Sequence, residues 1–123
     1  MSDDVYLNSL KFSLWNLMAG TRGGLTRIRI IQLLRERPYN TNQIKDTLNL
    51  DYKTVQHHIK FLMDSNIITF GNEKRYGSVY FLSPTLEKNI SLFDEILEKM
   101  GETQISKKNK KYARMRLRSK FRR

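Results

Sequence analysis

Between Asn40 and Ile68 the apolar positions fall at helical spacing in two short blocks separated by a polar turn. In the first block Ile44 and Leu48 stand four apart and share one helix face, and Asn40 or Thr41 can cap its start. Leu50 then plugs the turn, Asn49 suits the bent backbone around it, and Asp51 caps a second helix. In that helix Val55, Ile59 and Leu62 recur at intervals of four and three, which predicts a buried stripe. The opposite arc carries Lys53, Gln56, His57 and Lys60, with Thr54 at its edge. A solvated polar face would use the same residue types, so the flanking sequence decides.

Downstream, Ile67 to Phe70 and Val79 to Leu82 are runs of β-branched and aromatic residues around a polar stretch containing Gly71, Asn72 and Gly77. This predicts a hairpin whose tip carries Lys74 and Arg75. A helix, a turn, a polar-faced helix and a basic hairpin, in that order, are the parts of a winged helix-turn-helix. The second helix, about 51–64, would enter the major groove of DNA, and the wing, about 71–78, would touch backbone or minor groove.

Upstream, the segment from Arg22 to Pro38 predicts the first helix of the module. Ile30, Leu33 and Leu34 share a face with Ile31 beside them, and Pro38 stops the helix. Gly23 and Gly24 mark the joint before it. No strand precedes them and no Walker pattern follows, so a nucleotide-binding loop is not expected. Two amphipathic stretches flank the module. Leu7, Leu10, Leu14 and Leu17 stripe a helix over about 5–18, and Ile90, Phe93, Ile96, Leu97 and Met100 stripe a later one that Thr85 can cap. The expected fold class is mainly α with a small β-hairpin. Its parts are an N-terminal helix over 1–20, a winged helix-turn-helix over 21–84, a C-terminal helix over 85–102 and a basic tail over 103–123. Paired flanking helices point to a homodimer, with two recognition helices set about 34 Å apart on DNA.

The stretches NQIKDTLNL and TVQHHIKFLMDSNII resemble ArsR-type winged-helix transcription regulators, and AGTRGGLTRIRIIQLL, followed by RPYNTNQI and YKTVQHHIKFL, resembles more closely a group of small archaeal winged-helix regulators. The resemblance spans roughly Leu14 to Pro84. It places Gln56 and His57 at groove-facing positions and His58 beside the core stripe. Asn66 stands where the family usually ends this helix with glycine, and asparagine is the next-best residue for a left-handed helix end. ArsR proteins often sense metals through cysteine, and this sequence has none. His57 and His58 point about 100° apart on a helix and cannot chelate together from one face. No metal site or cofactor is therefore expected, and with no recognisable catalytic motif the chain is not expected to be an enzyme.

Charge adds the second clue. Residues 1–106 hold 13 lysines and arginines against all 12 acidic residues, a net charge of +1, and residues 107–123 hold ten basic residues and no acidic ones. Lys107, Lys108, Lys110, Lys111, Arg114, Arg116 and Arg118 are expected to track the DNA backbone, adding affinity with little sequence information. Basic and non-basic residues alternate from Arg114 to Arg122, while Ala113, Leu117 and Phe121 also fit helical spacing, so periodicity leaves the tail's form open. Interleaved Tyr112, Met115, Leu117 and Phe121 keep single-strand or RNA binding and insertion at an anionic membrane surface as alternatives, and the nearly neutral core with its strongly basic tail keeps a weakly specific nucleoid-type role. No apolar run is long enough to span a bilayer, and Asp3 and Asp4 replace the positive start of a signal peptide. The sequence thus predicts a cytoplasmic, nucleoid-associated, sequence-specific regulator of duplex DNA. Its partners would be DNA, a second copy of itself and transcription machinery, with no membrane.

Overall fold

The computed structural model describes residues 3–101, so the basic residues from Lys107 onward lie outside the described residues. The chain divides after Ile90 into two compact units. In the first, α1 (Asp3–Trp15) runs into a π-helical turn (Asn16–Gly20), followed by α2 (Gly24–Glu36), α3 (Thr41–Leu48) and α4 (Tyr52–Asp64). A hairpin of β1 (Ile68–Glu73) and β2 (Gly77–Leu82) follows, then a short α5 (Pro84–Lys88). Helix resumes at 90 and continues to 101 as α6, most of it in the second unit. Among the described residues no helix is long and apolar enough to cross a membrane.

Each element follows from local chemistry. Asn40 accepts the Gln43 backbone N–H (2.8 Å) while the Gln43 side chain accepts the Asn40 N–H (2.9 Å), a reciprocal cap on α3. The tight turn after α3 uses Asn49 in the left-handed conformation, φ 56°, and the Leu50 N–H returns to the Lys45 carbonyl. Asp51 occupies the cap position of α4, but its side chain makes no capping bond; only its carbonyl does, to Val55. Asn66 takes φ 63°, which turns the chain from α4 into β1.

The core of this unit is the set of stripes the sequence carries. Ile44 and Leu48 of α3, Val55, Ile59 and Leu62 of α4, and Ile28, Ile30, Ile31 and Leu34 of α2 are all buried. Ile67, Ile68, Val79 and Leu82 close it from the hairpin, and Leu14, Leu17 and Met18 from the N-terminal side. The outer side of α1 leaves Val5, Phe12 and Trp15 exposed.

Four details depart from the sequence reading. The hairpin strands extend through Gly71 and Asn72 to a Glu73–Gly77 pair, which shortens the tip to Lys74, Arg75 and Tyr76. Gly77 at φ 80° closes this three-residue loop, as left-handed geometry there requires. Tyr39 pairs with Tyr80 through two backbone hydrogen bonds, a one-residue third strand. Ser83, not Thr85, caps the helix after the wing, accepting the Leu86 N–H with Pro84 in the first turn. That helix ends at Lys88 and does not continue unbroken through Asn89.

Candidate nucleic-acid interface

The buried stripe of α4 fixes which way its other side points. With Val55, Ile59 and Leu62 in the core, Lys53, Gln56, His57 and Lys60 are exposed, and Thr54 is half-buried at the edge. Lys53, Gln56, His57 and Lys60 line one shallow groove together with Met63, Asp64 and, across from the helix, Tyr80 of β2. The structure therefore brings four of the five expected helix residues together; Thr54 is not among the groove's lining. Lys60 also holds an exposed i,i+4 ion pair with Asp64, Nζ to Oδ2 3.2 Å. Such a pair stabilises a helix by only a few tenths of a kcal/mol, so a phosphate can displace the carboxylate.

Lys74 and Arg75 stand exposed at the hairpin tip, where they share a second concavity with Glu73 and Tyr76. Behind the tip, the guanidinium of Arg37 lies over the Tyr39 ring at 4.1 Å and over the Tyr76 ring at 4.8 Å. Phe70 and Tyr80 are cross-strand partners with ring centroids 4.8 Å apart, and Phe70 is exposed.

The chemistry behind α4 was not foreseen from the sequence. Arg27 of α2 is buried, with only 2% of its surface exposed. Its Nε donates to the Leu17 carbonyl (2.8 Å), Nη1 to Nδ1 of His58 (3.3 Å), and Nη2 to the Arg22 carbonyl (3.0 Å) and the Thr21 hydroxyl. The guanidinium also lies 4.8 Å from the centroid of Phe61. Among the described residues no carboxylate pairs with it. Burial draws the pKa of Arg27 down, yet a guanidinium stays charged, and carbonyl dipoles and an aromatic face offset its desolvation. A signal was available: Arg27, Ile31 and Leu34 sit at core spacing, so the arginine occupies a stripe position.

His58 is the buried histidine of the pair, packed beside the core stripe as the sequence reading placed it, and His57 faces solvent. Burial pushes the His58 pKa below its ordinary 6.5, and the charge of Arg27 and the neighbouring His57 push the same way. The two glycines at the start of α2, Gly23 as its cap and Gly24 as its first residue, serve this packing. A Cβ on Gly24 would lie 2.1 Å from the Met18 carbonyl oxygen, and one on Gly23 would lie 2.7 Å from the His58 ring. Their bare backbone lets the Met18 carbonyl and the His58 ring approach closely.

Residues 25–69, which contain α3, α4 and the start of β1, match the family model for bacterial regulatory proteins of the arsR family. No curated protein sequence matches the chain. Among solved structures, the fold is similar to that of a probable transcriptional regulator from Pseudomonas aeruginosa, with TM-score 0.60 and 15% identity over 92% of this chain and 91% of that one. It is also similar to a homodimeric winged helix-turn-helix DNA-binding domain from Mycobacterium bovis, described as a possible ArsR-family transcriptional regulator. There the TM-score is 0.54 and the identity 13%, over 89% of this chain and 93% of that one. Reduced HlyU from Vibrio cholerae gives TM-score 0.53 and 18% identity, over 80% of this chain and 97% of that one. At these identities the likeness establishes a winged helix-turn-helix fold.

Proposed function

From a helix-turn-helix that matches the arsR-family model over residues 25–69, we propose that this protein is a sequence-specific, duplex-DNA-binding transcriptional regulator. The observation that carries the reading is the orientation of α4. Its apolar stripe is buried, and Lys53, Gln56, His57 and Lys60 face one open groove. Gln56 has the donor and acceptor to bind an adenine edge in two places, and Lys53, Thr54 and His57 stand where base edges or nearby phosphates fall. Lys60, Lys74 and Arg75 supply backbone or minor-groove contacts, and the lysines and arginines of 107–118 add sequence-independent attraction. Regulation by DNA binding needs no catalytic group.

The exposed Val5, Phe12 and Trp15 on α1 suit burial against a second copy, and the Mycobacterium bovis domain of the same fold is homodimeric. A dimer would present two copies of α4 to successive major-groove faces.

The test is fluorescence anisotropy of a random-sequence duplex and its matched single strand across a salt series, with full-length protein and a chain ending at Ser106. Sedimentation equilibrium on the same samples reports the number of copies. Duplex preference that survives truncation, with a shallower salt dependence, supports the proposal. Single-strand preference, or loss of all binding on truncation, transfers the function to the basic tail. A monomer at micromolar concentration removes the dimer.

A further inference from the structure

The tip of the wing is not held by its hairpin alone. Tyr76 is the last residue of the three-residue tip, next to Lys74 and Arg75, and its N–H bonds the Glu73 carbonyl at 3.0 Å. A two-stranded ribbon of this length is weakly stable by itself, and side chains at its far end have few neighbours to restrain them. Here, however, the Arg37 guanidinium lies over the Tyr76 ring, 4.8 Å from its centroid, and over the Tyr39 ring at 4.1 Å.

Arg37 is itself well anchored. It is the C-terminal cap residue of α2, where its N–H bonds the Leu33 carbonyl at 3.3 Å, and its Nη1 donates to the carbonyl of Pro38. Tyr39 is fixed in turn by its backbone pairing with Tyr80 in β2, at 2.8 and 3.2 Å. The stack thus links the end of a core helix to the extreme tip of the wing. Arginine suits the position because its planar cation can meet two aromatic faces at once, which a lysine ammonium cannot.

We propose that Arg37 is a positioning residue for DNA binding: stacked on Tyr39 and Tyr76, it fixes the wing tip so that Lys74 and Arg75 meet the phosphate backbone in register with α4. The role rests on the duplex-DNA reading above, and it is distinct from contacting DNA. Arg37 is half-buried and spends its guanidinium on two rings and a carbonyl, whereas Arg75 is exposed. Holding the tip in place before binding removes an ordering cost that a loose wing would carry into the complex.

The experiment uses full-length protein and a random-sequence duplex of about three helical turns. Arg37→Gln is expected to weaken binding roughly five- to tenfold. Its log–log salt slope should match the unmodified protein, while Arg75→Gln should lower the slope by about 0.9. In the Arg37→Gln/Arg75→Gln double variant the two losses should fall short of additive. Tyr76→Leu, in the three-residue tip and outside the buried core, should reproduce the loss, and Tyr76→Phe should restore it. Without DNA, amide relaxation at Lys74 to Gly77 should report faster motion in Arg37→Gln. A slope reduced by Arg37→Gln, additive losses, or Tyr76→Leu binding normally would overturn the proposal. If no protein binds duplex yet the tip loosens in Arg37→Gln, the restraint stands as a physical fact and the DNA reading is what fails.

Discussion

Nη1 of Arg27 lies 3.3 Å from Nδ1 of His58, and this contact joins α2 to the back of α4. Because a guanidinium only donates, Nδ1 presents its lone pair, and the neutral ring carries its proton on Nε2. The same guanidinium holds the Leu17 and Arg22 carbonyls and the Thr21 hydroxyl, so one side chain ties the π-helical turn, the segment before α2 and α4 together.

Removing that side chain leaves two buried acceptors, the Leu17 carbonyl and Nδ1 of His58, without their donor. Arg27→Ala is therefore expected to destabilise the fold by roughly 3 kcal/mol, and Arg27→Lys by a large part of that, since one ammonium cannot reach the same set of partners. Urea unfolding followed by circular dichroism measures both. A loss under about 1 kcal/mol for Arg27→Ala would mean the network is peripheral to stability.

Acid should act through the partner. Burial first, then the charges of Arg27 and His57, hold the His58 pKa below its ordinary 6.5. The unfolded chain lacks these constraints and binds the proton more readily, so stability must fall as pH falls below about 6.5. Above the unfolded pKa the contribution is complete. The steepest loss one group can cause is about 1.4 kcal/mol per pH unit. Melting between pH 7.5 and 5.5 should show the decline, and His58→Gln, which keeps an acceptor for Arg27 without titrating, should flatten it. An identical decline in that variant would assign the acid sensitivity elsewhere.

Helical stripes and turn chemistry made much of this fold legible: the faces of α3 and α4, the left-handed Asn49 and Asn66, and the Asn40 cap each depend on neighbours within a turn or two. What escaped depends on partners far along the chain. The Tyr39–Tyr80 bridge is one residue long and has no periodicity to betray it. The role of Arg27 has no local signature, because its acceptors come from the preceding turn and from α4. Gly71 and Asn72 read as turn residues, yet register with Val79 and Ser78 carries them into the strand. For the candidate interface, sequence identified the exposed arc of α4. The Arg37 stack could not be read, because its second ring, Tyr76, is 39 positions away.

The glycines at the start of α2 and after the wing tip should respond differently to a methyl group. At Gly24 a Cβ would meet the Met18 carbonyl oxygen at 2.1 Å, so α2 must move off the π-helical turn. Gly24→Ala should cost about 2 kcal/mol or more. At Gly77 nothing lies within 4 Å of a Cβ, and only the φ of 80° resists, so Gly77→Ala should cost about 1–2 kcal/mol and leave the core intact. Near-ultraviolet circular dichroism separates the cases: the environment of Trp15, next to the π-helical turn, should change in Gly24→Ala alone. A matching change in both variants would break the distinction.

Specificity and affinity should separate along the interface. Gln56 sits in the α4 groove with Lys53, His57 and Lys60, and its amide can pair with a base edge. Losing one such pair relaxes discrimination at a single base position by about 1–3 kcal/mol. Gln56→Ala should therefore flatten one position of a motif selected from a random duplex library, with the rest of the motif retained. Arg75, exposed at the tip, contributes charge that every duplex shares, so Arg75→Ala should weaken all library members alike. Thr54→Ala should do less than either, because the threonine is half-buried and outside the groove lining. If the selected motif is unchanged by Gln56→Ala but altered by Arg75→Ala, the wing reads sequence and α4 serves as the clamp, the reverse of the assignment made from the groove.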